Sequence, residues 1–107
     1  MSGEREVEMA VASFRKPYSC AQTVYAAFAP FDAEKMELMG QNSGGRAPEG
    51  ACGALFAAMY LNPDRAEEIK REFAKRAGDF RCAQIKGVHK TPCQECVRAA
   101  AELAAQK

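Results

Sequence analysis

The sequence has no tryptophan and one histidine, and its charges nearly cancel. Fifteen Lys and Arg residues against 14 Asp and Glu residues leave a net charge of +1. A dedicated nucleic-acid binder needs a basic patch or stripe, so we expect no nucleic-acid partner. We see no Ser-His-Asp set, and the carboxylates fall mainly on predicted solvated helix faces, so nothing favours hydrolytic catalysis. We interpret His89 as a surface-loop residue and not as a metal ligand.

Long apolar runs are also missing. The longest run without a charged or strongly polar residue spans residues 51–61, whereas a membrane-spanning helix needs about 20 apolar residues. The acidic N-terminus lacks the apolar segment of a secretory signal. We therefore expect no membrane association and a cytoplasmic location, where structural disulfides are unusual. The odd number of cysteines, five, also argues against a closed disulfide framework.

Signals for β-structure are absent as well. The sequence has no Asn-Gly or Asp-Gly hairpin pair and no alternating strand pattern, and its many alanines favour helices. Apolar spacing predicts helices over residues 4–14, 20–29, 33–39, 51–61, 64–77, 79–87 and 92–106. Ser2 and Asp32 are the predicted caps of the first and third helices, Pro17 is the predicted stop of the first, and Gly78 is the predicted end of the fifth. The stretch at about 51–61 is apolar all round and predicts a helix buried on every face. We expect one all-α domain over residues 1–107, a compact bundle of five to six short helices around that central helix.

The cysteines fall at predicted helix starts. Ser19 with Gln22 fits a capping box, and so does Thr91 with Gln94, where Pro92 takes the favoured first position. The cysteines at or near such starts are Cys20, Cys52, Cys82, Cys93 and, one turn further along, Cys96. A cysteine that only fills apolar space has no reason to prefer a helix start.

A helix start suits two kinds of cysteine chemistry. Its free N–H groups and partial positive charge lower the pKa of a thiol and would equally stabilise an anionic metal–thiolate cluster. Cys93 and Cys96 form a C-x-x-C pair, which occurs in thiol redox sites and metal sites alike, but the βαβ context of the redox type is missing. Zinc knuckles usually bring two close pairs, and this chain has one, so zinc is the weaker alternative.

Four cysteine segments together resemble the C_GCAxxG_C_C family of redox-active proteins. The matching segments are residues 18–24, the Gly-rich stretch 44–55, residues 80–87, and Cys93 ahead of residues 97–100. The chain has Ala57 where the family's central motif has glycine. It also has two terminal cysteines where the family has one, and we align Cys93 with the family's cysteine and treat Cys96 as an additional one.

The same pattern is similar to the iron–sulfur domain of split-Soret-type cytochromes. That resemblance implies an all-helical fold around a 2Fe-2S cluster that serves electron transfer with a redox partner protein. The implied thiolate ligands are Cys20, Cys52, Cys82 and Cys93, with Cys96 spare or substituting. Gly50 and Gly53 would bring backbone N–H groups close to the cluster sulfurs.

Two alternatives stay open at this point. The first is a metal-free dithiol–disulfide protein that exchanges Cys93 with Cys96, or Cys52 with Cys20. The second is a structural zinc domain or cysteine-rich interaction module. If the protein is an enzyme, these residues favour a thiol or iron–sulfur oxidoreductase.

Overall fold

The described part of the chain folds into seven α-helices and contains no strands. The computed structural model describes residues 4–14, 18–30, 32–43, 46–89 and 91–105. The helices are α1 (Glu4–Ser13), α2 (Cys20–Phe28), α3 (Ala33–Gln41), α4 (Gly53–Leu61), α5 (Ala66–Ala77), α6 (Cys82–Gln84) and α7 (Cys93–Ala105). The all-α prediction is therefore confirmed.

The central position predicted for α4 is confirmed. This helix packs against α2, α5 and α7, and Ala54, Leu55 and Ala58 have no exposed surface. It ends at Asn62, whose N–H bonds to the Ala58 carbonyl at 3.2 Å, because the following Pro63 disfavours helical geometry at the preceding residue.

The prediction that α4 is buried on every face is wrong. The helix begins at Gly53 rather than at residue 51, and Tyr60 is 37% exposed. Phe56 and Met59 are half-buried. These side chains line an open surface groove of about 360 Å³. The reason is that α4 has neighbours on three sides, which leaves its remaining side facing solvent at the C-terminal end.

Helix ends follow the predicted local chemistry at several places. The Asp32 carboxylate accepts hydrogen bonds from the N–H groups of Glu34 and Lys35 at 3.0 and 3.1 Å and begins α3. Gly78 ends α5 with φ 101°, a left-handed conformation that suits glycine. The helix α1 ends at Ser13, while the predicted cap Ser2 and helix stop Pro17 lie outside the described residues.

The segment after α5 differs from its prediction. We expected a brief helix that begins at residue 79 or 80 and ends at Gly87. The structure has one turn of α-helix at α6, which continues as a π-helix over Ile85–His89. His89 therefore belongs to this π-helix and not to a loop, and its side chain lies outside the described part. Short π-helical segments are frequent at functional sites.

One apolar core includes residues from six of the seven helices, with Phe73, Met39, Leu55, Ile69 and Val24 among its largest fully buried side chains. Buried alanines on α4 and α7 let these two helices approach closely at its centre. Within the described ranges, no helix combines the length and apolar character needed to cross a membrane.

Candidate functional site

All five cysteines line one small cavity. Its walls are Cys20, Cys52, Gly53, Cys82, Ile85, Thr91, Cys93 and Cys96. Its volume of about 20 Å³ is close to the room that one water molecule needs. Four separate parts of the chain supply these thiols, and none of the five is in a disulfide. The structure therefore brings together every cysteine that the sequence singled out.

Cys20 is the first residue of α2, and a complete capping box fixes it there. The Ser19 N–H bonds to Gln22 Oε1 at 3.1 Å, and the Gln22 N–H bonds to Ser19 Oγ at 3.3 Å. The Ser19 hydroxyl also contacts the buried Ser43 hydroxyl at 2.8 Å, while Ser43 donates to the Met39 carbonyl at 3.0 Å. The capping box was predicted; Ser43, which anchors it to the end of α3, was missed because no local pattern marks it.

Replacing Ser19 by alanine should loosen Cys20 specifically. Loss of an N-cap side chain costs about 0.5–2 kcal/mol, measurable by urea unfolding. We expect the Cys20 thiol to react faster with a thiol reagent, followed by mass spectrometry under native conditions. Asp32→Ala is the matched control, because it removes the N-cap of α3. The control should lose similar stability and leave Cys20 reactivity unchanged; equal acceleration in both variants would contradict the specific role of Ser19.

The two glycines assigned to the site have different roles. A Cβ atom on Gly53 would lie 2.7 Å from Cys20 Sγ and 2.8 Å from Ser43 Cα, so this position has no room for a side chain. A Cβ atom on Gly50 would meet nothing within 4 Å, but this residue has φ +75°. The close approach expected at Gly50 is therefore not seen. Glycine there serves the left-handed backbone of a turn that also holds Glu49 at φ 64°.

Cys52 caps α4 in extended geometry, and its backbone is tied to the segment that leads to Cys82. The Cys52 N–H bonds to the Phe80 carbonyl at 2.8 Å. Ala51 and Arg81 form an isolated antiparallel bridge beside this bond. Two cysteines that are 30 positions apart in sequence are thus held on the same side of the molecule by main-chain pairing. The sequence carried no strand signal for this bridge.

The turn before Cys82 is held by an ion pair. Asp79 Oδ1 accepts hydrogen bonds from the Arg81 N–H at 2.8 Å and from the Arg81 guanidinium at 3.1 Å. The hydrogen bond from the Arg81 side chain, followed by that from its backbone, lowers the pKa of Asp79 to about 2. Because this pKa lies below the ordinary value of about 3.9, the pair stabilises the turn above that pH. Its contribution disappears as the pH falls toward about 2.

An NMR titration of the side-chain carboxyl carbons should therefore show Asp79 ionised well below the usual range. Arg81→Gln removes the guanidinium and keeps a polar side chain, so it should return the Asp79 midpoint toward about 3.9. An unchanged midpoint in Arg81→Gln would contradict the assigned cause.

Cys93 is the first residue of α7, whereas Pro92 was predicted to be the first and Cys93 the second. The N–H groups of Glu95 and Cys96 both bond to the Pro92 carbonyl, at 3.0 and 3.1 Å. The prediction that Thr91 caps this helix is therefore wrong. The Thr91 hydroxyl instead donates to the Ala77 carbonyl at 3.0 Å and ties the start of α7 to the end of α5.

Cys52 and Cys96 form the innermost pair of thiols. They are 5% and 4% exposed, and hydrogen bonding between their side chains is the first cause of opposite shifts in their pKa values. This hydrogen bonding, and then burial, raises the pKa of Cys52, although the N–H groups of Leu55 and Ala54 act in the opposite direction. The same hydrogen bonding lowers the pKa of Cys96.

This pair is neither of those predicted from sequence, which were Cys93 with Cys96 and Cys52 with Cys20. The other three thiols, Cys20, Cys82 and Cys93, are half-buried. Within the ranges that the structure describes, no three Cys, His, Asp or Glu side chains gather closely enough to form a ready site for a single metal ion. The sulfurs surround a cavity and do not converge on one point.

Comparison with protein-family models, with curated proteins and with solved structures finds no match for this chain. The resemblance to the C_GCAxxG_C_C family stays a prediction. The function must therefore be inferred from the cavity and from the side chains around it.

Proposed function

We propose that this protein is a redox protein that binds an iron–sulfur cluster, of the 2Fe-2S type, for electron transfer. The observation that carries the proposal is the cavity lined by all five cysteines. Iron–sulfur clusters are held by four cysteine thiolates, and this donor set supplies four with one in excess. A disulfide pair needs only two thiols, so it leaves three of the five unexplained.

The spacing of the thiols favours a cluster over a structural zinc ion. A tetrahedral zinc site needs four donors about 2.0–2.3 Å from one point, and the described side chains offer no such group. A two-iron cluster needs two thiolates at each iron, so its four ligands can lie further apart than the four ligands of a single metal ion. The cavity is narrow, and Cys20, Cys82 and Cys93 lie half-buried around it.

The surrounding chain supplies what such a group requires. When bound, the cluster would provide one-electron transfer. The starts of α2, α4 and α7 direct backbone N–H groups toward their own cysteines, and such groups stabilise negative charge on sulfur. Burial of Cys52 and Cys96 excludes water from the inner side of the cavity. We infer a redox partner protein that exchanges electrons through the half-buried side, and a cytoplasmic setting.

The proposal is tested by anaerobic purification, followed by a visible spectrum and by measurement of iron, zinc and acid-labile sulfide per chain. We expect a coloured protein with iron and sulfide in equal amounts. Cys52→Ser should lose this colour, because it removes an inner thiol. A colourless, iron-free protein that also fails reconstitution with ferrous iron and sulfide would overturn the proposal.

One observation favours a second candidate function, a metal-free dithiol–disulfide protein. Cys52 and Cys96 are the two most buried thiols of the cavity, and hydrogen bonding with Cys52 lowers the pKa of Cys96, which favours the thiolate form that attacks a disulfide. Oxidation of the two thiols would form one S–S bond and transfer two electrons and two protons to a partner disulfide, which becomes two thiols.

Incubation of the iron-free protein with glutathione disulfide, followed by peptide mapping, tests this alternative. We expect a Cys52–Cys96 link that Cys96→Ser abolishes and Cys93→Ser leaves intact. A link between Cys93 and Cys96 instead would contradict the pairing.

A further inference from the structure

We propose that the open groove beside α4 is the docking surface for the redox partner, and that this partner is an acidic redox protein that places an apolar side chain in the groove. This inference rests on the proposed function and names the surface at which the two proteins meet. The groove is lined along α4 by residues from Ala51 to Pro63 and has a volume of about 360 Å³. Its position, its lining and the charge of its wall each favour such a partner.

The groove and the cysteine cavity share the backbone around Cys52 as a wall. Ala51, Phe56 and Phe80 line the groove, and Cys52 and Cys82 line the cavity. The Cys52 N–H donates to the Phe80 carbonyl at 2.8 Å, and the Cys52 carbonyl accepts from the Phe56 N–H at 2.9 Å. A partner in contact with either phenylalanine is therefore connected to Cys52 through one residue and one hydrogen bond. The groove also adjoins the half-buried side of the cavity, since Cys82 follows Phe80 by two positions.

The lining of the groove has the composition of the centre of a protein interface. Phe56, Met59 and Tyr60 lie on the exposed side of α4, and aromatic residues and methionine are enriched at interface centres. The rings of Phe56 and Tyr60 are packed with their centroids 6.2 Å apart. Weak electron-transfer encounters bury less than about 1,200 Å² in total, so a short groove of this kind is sufficient for one.

Two lysines stand beside the aromatic rings. Lys35 Nζ donates to the Tyr60 hydroxyl at 2.7 Å, so its charge is not cancelled by that bond. Lys70 Nζ lies 4.3 Å from the centroid of the Phe80 ring and bonds to a Glu49 carboxylate oxygen at 3.2 Å. An exposed pair of this kind contributes little free energy, so Lys70 can exchange Glu49 for a carboxylate of the partner.

The segment that forms one wall of the groove is basic, although the whole chain is nearly neutral. Residues 65–90 contain eight basic and four acidic residues, whereas the rest of the chain contains seven basic and ten acidic ones. Ala66, Glu67, Lys70 and Phe80 of this segment line the groove. Such an asymmetry attracts an acidic surface over a distance. It disfavours a second copy of this chain as the occupant, because like charges would face each other.

The test titrates the isotope-labelled, iron-free full chain with an oxidised acidic flavodoxin and follows the backbone amides by NMR. We expect the largest shifts along the groove, at Phe56, Tyr60 and Lys70, and an affinity that falls as salt is added, because salt screens exposed charges. Shifts that avoid the groove, or an affinity that does not respond to salt, would overturn the proposal.

Matched variants locate the contact. Lys70 and Lys75 both lie on α5, and each bonds to a carboxylate, at 3.2 and 3.3 Å, but Lys70 alone of the two lines the groove. Lys70→Gln should weaken binding about two- to fivefold at low salt, and Lys75→Gln should weaken it less. Tyr60→Ala should weaken it about fivefold or more, whereas Met9→Ala, on α1, should leave it unchanged. Equal losses in Lys70→Gln and Lys75→Gln would overturn the assignment to the groove.

Electron transfer from reduced flavodoxin to the iron-loaded chain separates this inference from the proposed function. Each flavodoxin loses one electron and each loaded chain gains one. A rate that is the same in the wild type, Lys70→Gln and Tyr60→Ala would overturn the docking surface and leave the proposed function standing. A chain that takes up no iron would overturn the proposed function, while the titration of the iron-free chain still decides whether the groove binds. A dimer in solution that Tyr60→Ala dissociates would assign the groove to a second copy and overturn the proposal.

Discussion

Replacement of Gly53 by alanine is expected to destabilise the protein and to disturb the cysteine site together. The new Cβ atom would lie 2.7 Å from Cys20 Sγ and 2.8 Å from Ser43 Cα. The Ser43 contact is with backbone, so it is not relieved by turning a side chain. Such overpacking costs about 1–3 kcal/mol, more than the gain of up to about 1 kcal/mol that alanine brings to a helix.

The measurements are urea unfolding and iron content after reconstitution, and both should fall in Gly53→Ala. Gly87→Ala is the matched control, because a Cβ atom there meets nothing within 4 Å. The control should keep or slightly raise stability and leave iron content unchanged. Equal behaviour of the two variants would show that the contact between Cys20 and Gly53 does not limit the site.

Replacement of Leu55 by alanine is expected to give the largest loss of stability. Leu55 is fully buried in α4, and Leu→Ala at such a position costs about 2–5 kcal/mol through lost transfer free energy and the remaining cavity. At about 4–8 °C per kcal/mol for a domain of this size, the melting temperature should fall by about 8 °C or more. The helix also carries Cys52 at its start, so all five thiols should become reactive as the population of unfolded molecules rises.

Calorimetry and the rate of total thiol modification in the iron-free protein measure this effect. Met9→Ala is the control, since Met9 is apolar but 50% exposed on α1, and surface substitutions stay within about 0.5 kcal/mol. If Leu55→Ala unfolded at the same temperature as Met9→Ala, α4 would not be the element on which the fold depends.

The helical fold could be predicted because its signals are local. The Ser19–Gln22 box, the Asp32 cap and the Gly78 end were each predicted from residues within three positions of one another, and the structure contains all three. A capping hydrogen bond is decided by neighbouring atoms and needs no knowledge of distant packing. Thr91 was wrongly predicted as a helix cap because its hydroxyl bonds to the Ala77 carbonyl, 14 residues away. A local pattern of residues does not show such a distant partner.

Burial of α4 was misjudged at its C-terminal end for a related reason. An apolar helix is buried only where other elements are available to cover it, and the groove beside Tyr60 is left open by the paths of the neighbouring segments. At Gly50 the structure shows a positive φ with open space around the position, and a Gly-rich sequence does not distinguish this from a close approach.

The sequence alone determined that this protein is helical and that most of its five cysteines stand at helix starts. Only the tertiary structure decided that these thiols come together. Cys52 and Cys96 are 44 positions apart, and both line one cavity with Cys20. Such contacts depend on how α2, α4 and α7 pack, which is a property of the whole core. The inner pair of thiols is therefore invisible in any local pattern of residues.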